Sequence, residues 1–132
     1  MTGDNQMYCN ICNKLCDANY VTYLYSTPNY LILNLNRGKG AVYECKVNFP
    51  EQLNIFNFVT SKQATTAYEL YAVICHLGPS SMDGHFVAYC KNRLDNKWYL
   101  YNDGFVTLCH RAKQYTDGMP YILFYRVLTD DD

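Results

Sequence analysis

Two apolar segments joined by a short polar turn constrain the fold of this chain more than any other feature. Residues 84–89 and 98–103 are predicted to form antiparallel strands, with the polar residues 92–96 as the turn. A turn centred between Arg93 and Leu94 sets His85 directly opposite Asn102. Opposed side chains in an antiparallel pair have Cβ atoms about 4.5–5.5 Å apart. The sequence therefore predicts that an imidazole and a carboxamide meet on one face of a hairpin.

A histidine oriented by an asparagine is two-thirds of the Cys-His-Asn triad of thiol proteases. In that chemistry the imidazole takes the thiol proton and the amide fixes its tautomer. Gly84, which has no Cβ, lets backbone or substrate approach His85, and the loop 79–83 is suited to gating a substrate. Asp103 faces away if the strand continues, and replaces Asn102 if a bulge intervenes. The alternative is that His85 is an ordinary strand histidine beside a turn.

Composition excludes several classes of protein. The chain has 132 residues, 49% of them hydrophobic and 16% aromatic, which indicates a packed, strand-rich domain or a large part of one. A net charge of -1 predicts neither nucleic-acid nor membrane partners. The first ten residues lack the apolar region of a signal peptide. The seven cysteines are therefore expected to be reduced, in a cytoplasmic or nuclear protein.

The remaining pattern predicts further strands around residues 30–35, 42–47, 69–76, 105–108 and 120–127. Residues 51–66 are expected to be irregular, and the one helical candidate covers residues 110–116. Residues 1–7 are expected to be a tag or a disordered start, and residues 128–132 a disordered acidic tail. The predicted fold class is α+β, predominantly antiparallel β-sheet with long functional loops.

Four sequence blocks resemble a known family when taken in order. Residues 71–78, 84–89, 98–103 and 120–125 resemble the histidine box and C-terminal strands of the ubiquitin-specific proteases, and residues 28–37 and 48–50 resemble the same family's central strand and the segment after it. The resemblance covers roughly residues 8–127. It implies a half-domain of a papain-like cysteine protease, namely the palm with part of the fingers. Arg37 is followed by Gly38, where the family commonly has an aromatic residue.

The resemblance also implies roles for individual residues. His85 would be the catalytic base, Asn102 the third triad member and Asp103 a supporting carboxylate. The loop 79–83 would border a channel for the C-terminal tail of ubiquitin. The residues implied along that channel are Gly84 and Tyr89, and from their charge alone Asp83 and Glu69 are expected to meet the arginines of the ubiquitin tail. The reaction would be hydrolysis of the isopeptide bond between the terminal glycine of ubiquitin and a lysine amine.

The nucleophile is the part of the triad that the sequence does not offer. In this family the cysteine lies far upstream, at the start of a helix, and nothing here resembles that segment. The chain is therefore expected to be the C-terminal half of a longer enzyme, inactive alone, whose partners are ubiquitin, ubiquitinated proteins and the missing N-terminal half. The alternative is a non-catalytic ubiquitin-binding module. A sheet face without that half is expected to favour self-association.

Cys9 and Cys12 have the spacing of a zinc knuckle but form only half of a four-ligand site. The resemblance implies that this is the second of two pairs in a zinc-binding finger region, with Cys16 and His110 as further candidate ligands. The alternative is a pair of thiols without metal. No cofactor is expected for the chemistry itself. His76 matches a family histidine, although an ordinary strand-end histidine is the favoured interpretation.

Overall fold

Strands provide nearly all of the regular structure in the computed structural model, which describes residues 2–38, 45–62, 64–79, 83–109 and 118–128. Short 3-10 turns cover Gly3–Asn5 and Phe56–Phe58. The strands, in chain order, are β1 (Met7–Cys9), β2 (Lys14–Cys16), β3 (Tyr30–Asn34), β4 (Gln52–Asn54), β5 (Ala67–Leu77), β6 (His85–Lys91), β7 (Trp98–Asn102), β8 (Phe105–Cys109) and β9 (Met119–Val127).

Seven of these strands form one antiparallel sheet in the order β3-β9-β5-β6-β7-β8, and β4 adds to β5. The two longest strands, β5 and β9, lie side by side within it. β1 and β2 form a separate two-stranded hairpin. The predicted fold class, mainly antiparallel sheet, is confirmed. Because β6 pairs with β5, the long central pair supports the β6–β7 hairpin along one edge.

The core lies on one face of the large sheet. Tyr68, Val73 and Cys75 of β5 are fully buried there, together with Tyr125 of β9. Burial of each such apolar side chain contributes about 1.5–3 kcal/mol. The buried phenols are satisfied, since Tyr68 donates to the Pro28 carbonyl at 2.7 Å and Tyr125 donates to that of Pro50, also at 2.7 Å. The core therefore ties the loops before β3 and β4 to the two central strands.

A buried carboxylate links three strands of the sheet. Glu69 on β5 is 9% exposed and accepts hydrogen bonds from Lys91 of β6, at 2.8 Å, and from Arg126 Nε of β9, at 2.5 Å. Burial alone would raise the pKa of Glu69, but the hydrogen bonds from both cations outweigh it and lower that pKa. Apolar side chains exposed elsewhere on the sheet include those of Tyr30, Ile32, Phe86, Tyr101 and Val106.

Some predictions about local structure need correction, and others stay predictions. In the segment predicted to be a tag or a disordered start, Gly3–Asn5 form a turn and Gln6 donates to the Asp17 carboxylate at 2.8 Å, and its nature stays a prediction. Residues 51–66 are less irregular than predicted, since they contain β4 and a 3-10 turn. The predicted helix at 110–116, residues 42–44 of the predicted strand at 42–47 and the tail from residue 129 lie outside the described residues, whereas residues 45–47 are described and form no strand. The described part has no helix with the length and hydropathy of a membrane span.

Candidate active site

The hairpin of β6 and β7 forms as predicted, but in a different register. Tyr89 pairs with Leu100, and Lys91 pairs with Trp98. The backbone N–H of Asn92 donates to the Lys97 carbonyl at 2.8 Å, and Asn96 takes a φ of 55° in the turn. The centre of the turn therefore lies one residue later than predicted. His85 is displaced by two residues along the strand from the position directly opposite Asn102.

The predicted contact survives this displacement. A shift of two residues leaves a side chain on the same face of a sheet, and diagonal neighbours remain within reach of long side chains. His85 Nε2 lies 2.7 Å from Asn102 Oδ1. Because an amide oxygen only accepts hydrogen bonds, Nε2 donates and the ring carries its proton there. The Nδ1 lone pair is then left as the basic site of the imidazole.

Asp103 approaches the same ring nitrogen by a route that the sequence analysis did not consider. β7 ends at Asn102, and Asp103, with a φ of 49°, begins a tight turn with Gly104 that leads into β8. The carboxylate therefore does not face away from the histidine, and its Oδ2 lies 3.7 Å from His85 Nε2. The side chain is 77% exposed, so this ion pair is strongly screened. Asp-Gly between two apolar runs is a hairpin signal that predicts this turn.

The residues predicted to border a ubiquitin channel fall into two groups. Asp83 and Gly84 are exposed and immediately precede His85, whose own side chain is 44% exposed. Tyr89 is 3% exposed and lies in the core, so its burial argues against the predicted contact with substrate. Alternation explains the difference, since His85, Val87 and Tyr89 share one face and only His85 lies at its rim.

The cysteines of the large sheet are poor nucleophiles. Burial raises the pKa of Cys75 to about 12, and that residue is 0% exposed. Burial also raises the pKa values of Cys90 and Cys109. A thiol acts as a nucleophile through its thiolate, which these environments disfavour. Within the described residues, burial therefore disfavours the thiolate form of Cys75, Cys90 and Cys109.

The predicted zinc ligands lie at the tip of the β1–β2 hairpin. Cys9 ends β1, Cys12 lies in the turn, and the Cys12 sulfur is 3.3 Å from that of Cys16. A hydrogen bond from the Cys12 backbone lowers the pKa of Cys9, whereas the thiol contact with Cys9 raises the pKa of Cys12. Two adjacent thiols, of which Cys9 has the lowered pKa, fit half of a zinc site. No group of three or more metal-binding side chains is found in the described ranges, and His110 lies outside them.

Comparison with known proteins identifies the family to which this chain belongs. A sequence profile for Ubiquitin carboxyl-terminal hydrolase matches residues 2–125. The Arabidopsis thaliana protein Ubiquitin carboxyl-terminal hydrolase 25 is 34% identical over 131 residues, which is 95% of this chain and 19% of that protein. This chain therefore spans about a fifth of the length of that relative.

Solved structures show the same fold. The SAGA Ubp8/Sgf11/Sus1/Sgf73 DUB module bound to ubiquitin aldehyde superimposes with a TM-score of 0.76 at 24% identity, covering 97% of this chain and 30% of that one. A variant of that module bound to monoubiquitin gives 0.77 at 26% identity, with the same coverage. The resemblance drawn from the four sequence blocks is confirmed, and the chain belongs to the ubiquitin carboxyl-terminal hydrolase family.

Proposed function

We propose that this chain supplies the general base and its orienting amide to a deubiquitinating thiol protease. The reaction is hydrolysis of the isopeptide bond that follows the terminal glycine of ubiquitin. The observation that carries the proposal is the 2.7 Å contact between His85 Nε2 and Asn102 Oδ1. Family membership and the ubiquitin-bound structural neighbours support the substrate.

The proposed mechanism follows from the tautomer of His85. With its proton held on Nε2 by Asn102, the ring accepts the proton of an attacking thiol at Nδ1. The thiolate attacks the carbonyl of the terminal glycine, and the imidazolium donates its proton to the departing lysine amine. Ubiquitin is then held as a thioester, and the ring activates the water that hydrolyses it. Asn102 is neutral and therefore orients the ring without adding charge. Asp103, whose Oδ2 lies 3.7 Å from His85 Nε2, adds only a weak contact because it is exposed to solvent.

The nucleophilic thiol is proposed to come from a segment outside these 132 residues. The burial of Cys75 and the raised pKa values of Cys90 and Cys109 support this part of the proposal. The short span relative to the Arabidopsis relative is consistent with it. The catalytic domain would then be completed by that segment, in a protein that works where ubiquitin conjugates occur, the cytosol or the nucleus.

The exposed residues next to His85 are proposed to contact the substrate. Gly84 is exposed and immediately precedes the base, so its backbone is suited to lie beside the extended C-terminal tail of ubiquitin. Asp83 adds a negative charge at the same rim and is suited to an arginine of that tail. Cys9 and Cys12 are proposed to hold two of the four positions of a structural zinc, which would stabilise the hairpin and take no part in the chemistry.

Hydrolysis by the protein with its natural flanking sequence tests this function. Cleavage of a ubiquitin–lysine isopeptide is expected to fall by about 10²–10⁴-fold in His85→Ala, since a general base contributes that much. Leu94→Ala, 96% exposed at the turn of the same hairpin, is the matched control and should leave the rate unchanged. A folded protein that binds ubiquitin yet never cleaves the bond would instead be a ubiquitin-binding module.

A further inference from the structure

The loop between β5 and β6 leaves and rejoins the sheet through two glycines that touch. Leu77 is the last residue of β5 to pair with β6, and its partner is His85. A Cβ atom added to Gly78 would lie 2.8 Å from the Gly84 Cα and would overlap the Asp83 carbonyl. Only glycine lets the two ends of the loop approach so closely. The stem of the loop is therefore closed directly before His85.

The imidazole of His76 lies against this closed stem. A Cβ atom on Gly84 would lie 2.5 Å from His76 Nε2, and one on Gly78 would lie 3.1 Å from His76 Cε1. Gly84 also has a φ of +154°, which side chains rarely adopt. Both glycines thus leave room for the ring as well as for each other. The flat imidazole of His76 fits this space, whereas a bulkier side chain would force the two ends of the loop apart.

The ring is held from its other side by aromatic residues. Its centroid is 4.7 Å from that of Phe86 and 5.6 Å from that of Tyr121, and His76 is 3% exposed. Phe86 pairs with His76 across the two strands. The ring therefore contacts Gly84 and Phe86, which are the residues immediately before and after His85. Any displacement of the ring would act on both neighbours of the base.

We propose that His76 is a positioning residue, whose ring fixes the backbone on both sides of His85 so that the base faces Asn102. The inference rests on the proposed function only in taking His85 as the base, because the contacts themselves do not depend on ubiquitin. It departs from the sequence analysis, which favoured an ordinary strand-end histidine. No part of the His76 ring needs to touch substrate for this role.

The tautomer of His85 tests the proposal without any substrate. In ¹⁵N-labelled chain, long-range ¹H–¹⁵N correlation spectra distinguish protonation at Nε2 from protonation at Nδ1, and His85→Ala identifies the signal. His76→Ala is expected to weaken the preference for the Nε2–H tautomer by about tenfold, the value of one hydrogen bond. His76→Phe retains a flat ring and should keep the wild-type signature.

Two further variants separate positioning from general destabilisation. Val73→Ala removes an equally buried side chain from the same strand, and should lower stability while leaving the His85 tautomer unchanged. If His76→Ala does not fold, Gly84→Ala pushes on the ring from the exposed side and should disturb the same signal. An unchanged tautomer in folded His76→Ala or Gly84→Ala overturns the proposal, as does an equal loss in His76→Phe. A protein with its natural flanking sequence that showed these effects but never cleaved ubiquitin conjugates would refute the proposed function alone.

Discussion

Two hairpins of this molecule carry reactive side chains, and they differ in what supports them. The β6–β7 hairpin lies within a seven-stranded sheet and is packed on Tyr89 and Trp98, both at most 5% exposed. Among the described strands, β1 and β2 pair only with each other, and Ile11 and Leu15 of this hairpin are 95% and 60% exposed. Acid–base chemistry needs fixed geometry before substrate arrives, whereas a metal site gains its geometry from the metal.

The largest expected loss of stability comes from removing Trp98, on which the β6–β7 hairpin packs. Trp98→Ala should lower the free energy of unfolding by about 3–5 kcal/mol, because a large buried side chain leaves a cavity. Leu15→Ala, in the second hairpin, should change it by less than about 0.5 kcal/mol. Urea denaturation followed by circular dichroism measures both. Equal effects would mean that the two hairpins are supported alike.

A smaller loss of unfolding free energy is expected when the carboxylate of Glu69, which binds Lys91 of β6, is replaced. Glu69→Gln should cost about 1.5–3 kcal/mol at neutral pH, because it weakens charge-assisted hydrogen bonds to Lys91 and Arg126. The lowered pKa of Glu69 means that the ionised form stabilises the folded state. This stabilisation is complete above the unfolded pKa of about 4.3 and is lost as the pH falls through the folded value.

Denaturation midpoints of wild-type protein and Glu69→Gln should therefore converge below about pH 4. A difference that grows on acidification would show that the protonated carboxyl is the stabilising form. That result would contradict the ion-pair account of how β5, β6 and β9 are held together.

Within the β6–β7 hairpin, replacing Asn102 should change the stability and the His85 tautomer more than replacing Asp103. Asn102→Ala should cost about 1 kcal/mol, the net value of a hydrogen bond, and should release His85 from the Nε2–H tautomer. Asp103→Asn should cost only about 0.3 kcal/mol, since its carboxylate is exposed and 3.7 Å away. NMR of the labelled imidazole compares the two. A larger tautomer change in Asp103→Asn would make the aspartate the orienting residue.

The smallest effect on the metal-free chain is expected in the second hairpin. Cys9→Ser should leave the denaturation midpoint unchanged when no zinc is present, because Cys9 lies at the exposed tip of the hairpin. In the protein with its natural flanking sequence, the same change should remove bound zinc, whereas Cys45→Ser should not. Metal analysis by mass spectrometry measures this. Stoichiometric zinc in Cys9→Ser would exclude the knuckle as its ligand.

The first hairpin also shows what could be predicted from the sequence. The predicted turn, combined with alternation, placed His85 and Asn102 on one face, and this holds in any register displaced by an even number of residues. The turn was misplaced because four polar residues can close a hairpin in several ways. Asn96, which tolerates the left-handed φ of 55°, selects the observed one.

Contacts between distant parts of the chain could not be predicted in this way. Arg126 meets Glu69 across 57 positions, and nothing local in the sequence marks either residue as a partner. The burial of Tyr89 likewise depends on where the core ends, which alternation does not give. The contact between His76 and Gly84 depends on where the chain returns to the sheet after β5, which the sequence does not indicate. These features depend on how the strands are ordered in the sheet.

The most direct test of the central claim uses ubiquitin with a thiol-reactive electrophile at its C-terminus. The probe is incubated with this 132-residue chain, whose folding is checked by circular dichroism, and the intact mass is measured. The account predicts no adduct, because the chain supplies the base and its orienting amide while the attacking thiol lies elsewhere. A stoichiometric adduct that disappears in His85→Ala would show that one of its own cysteines is the nucleophile, and would contradict the account.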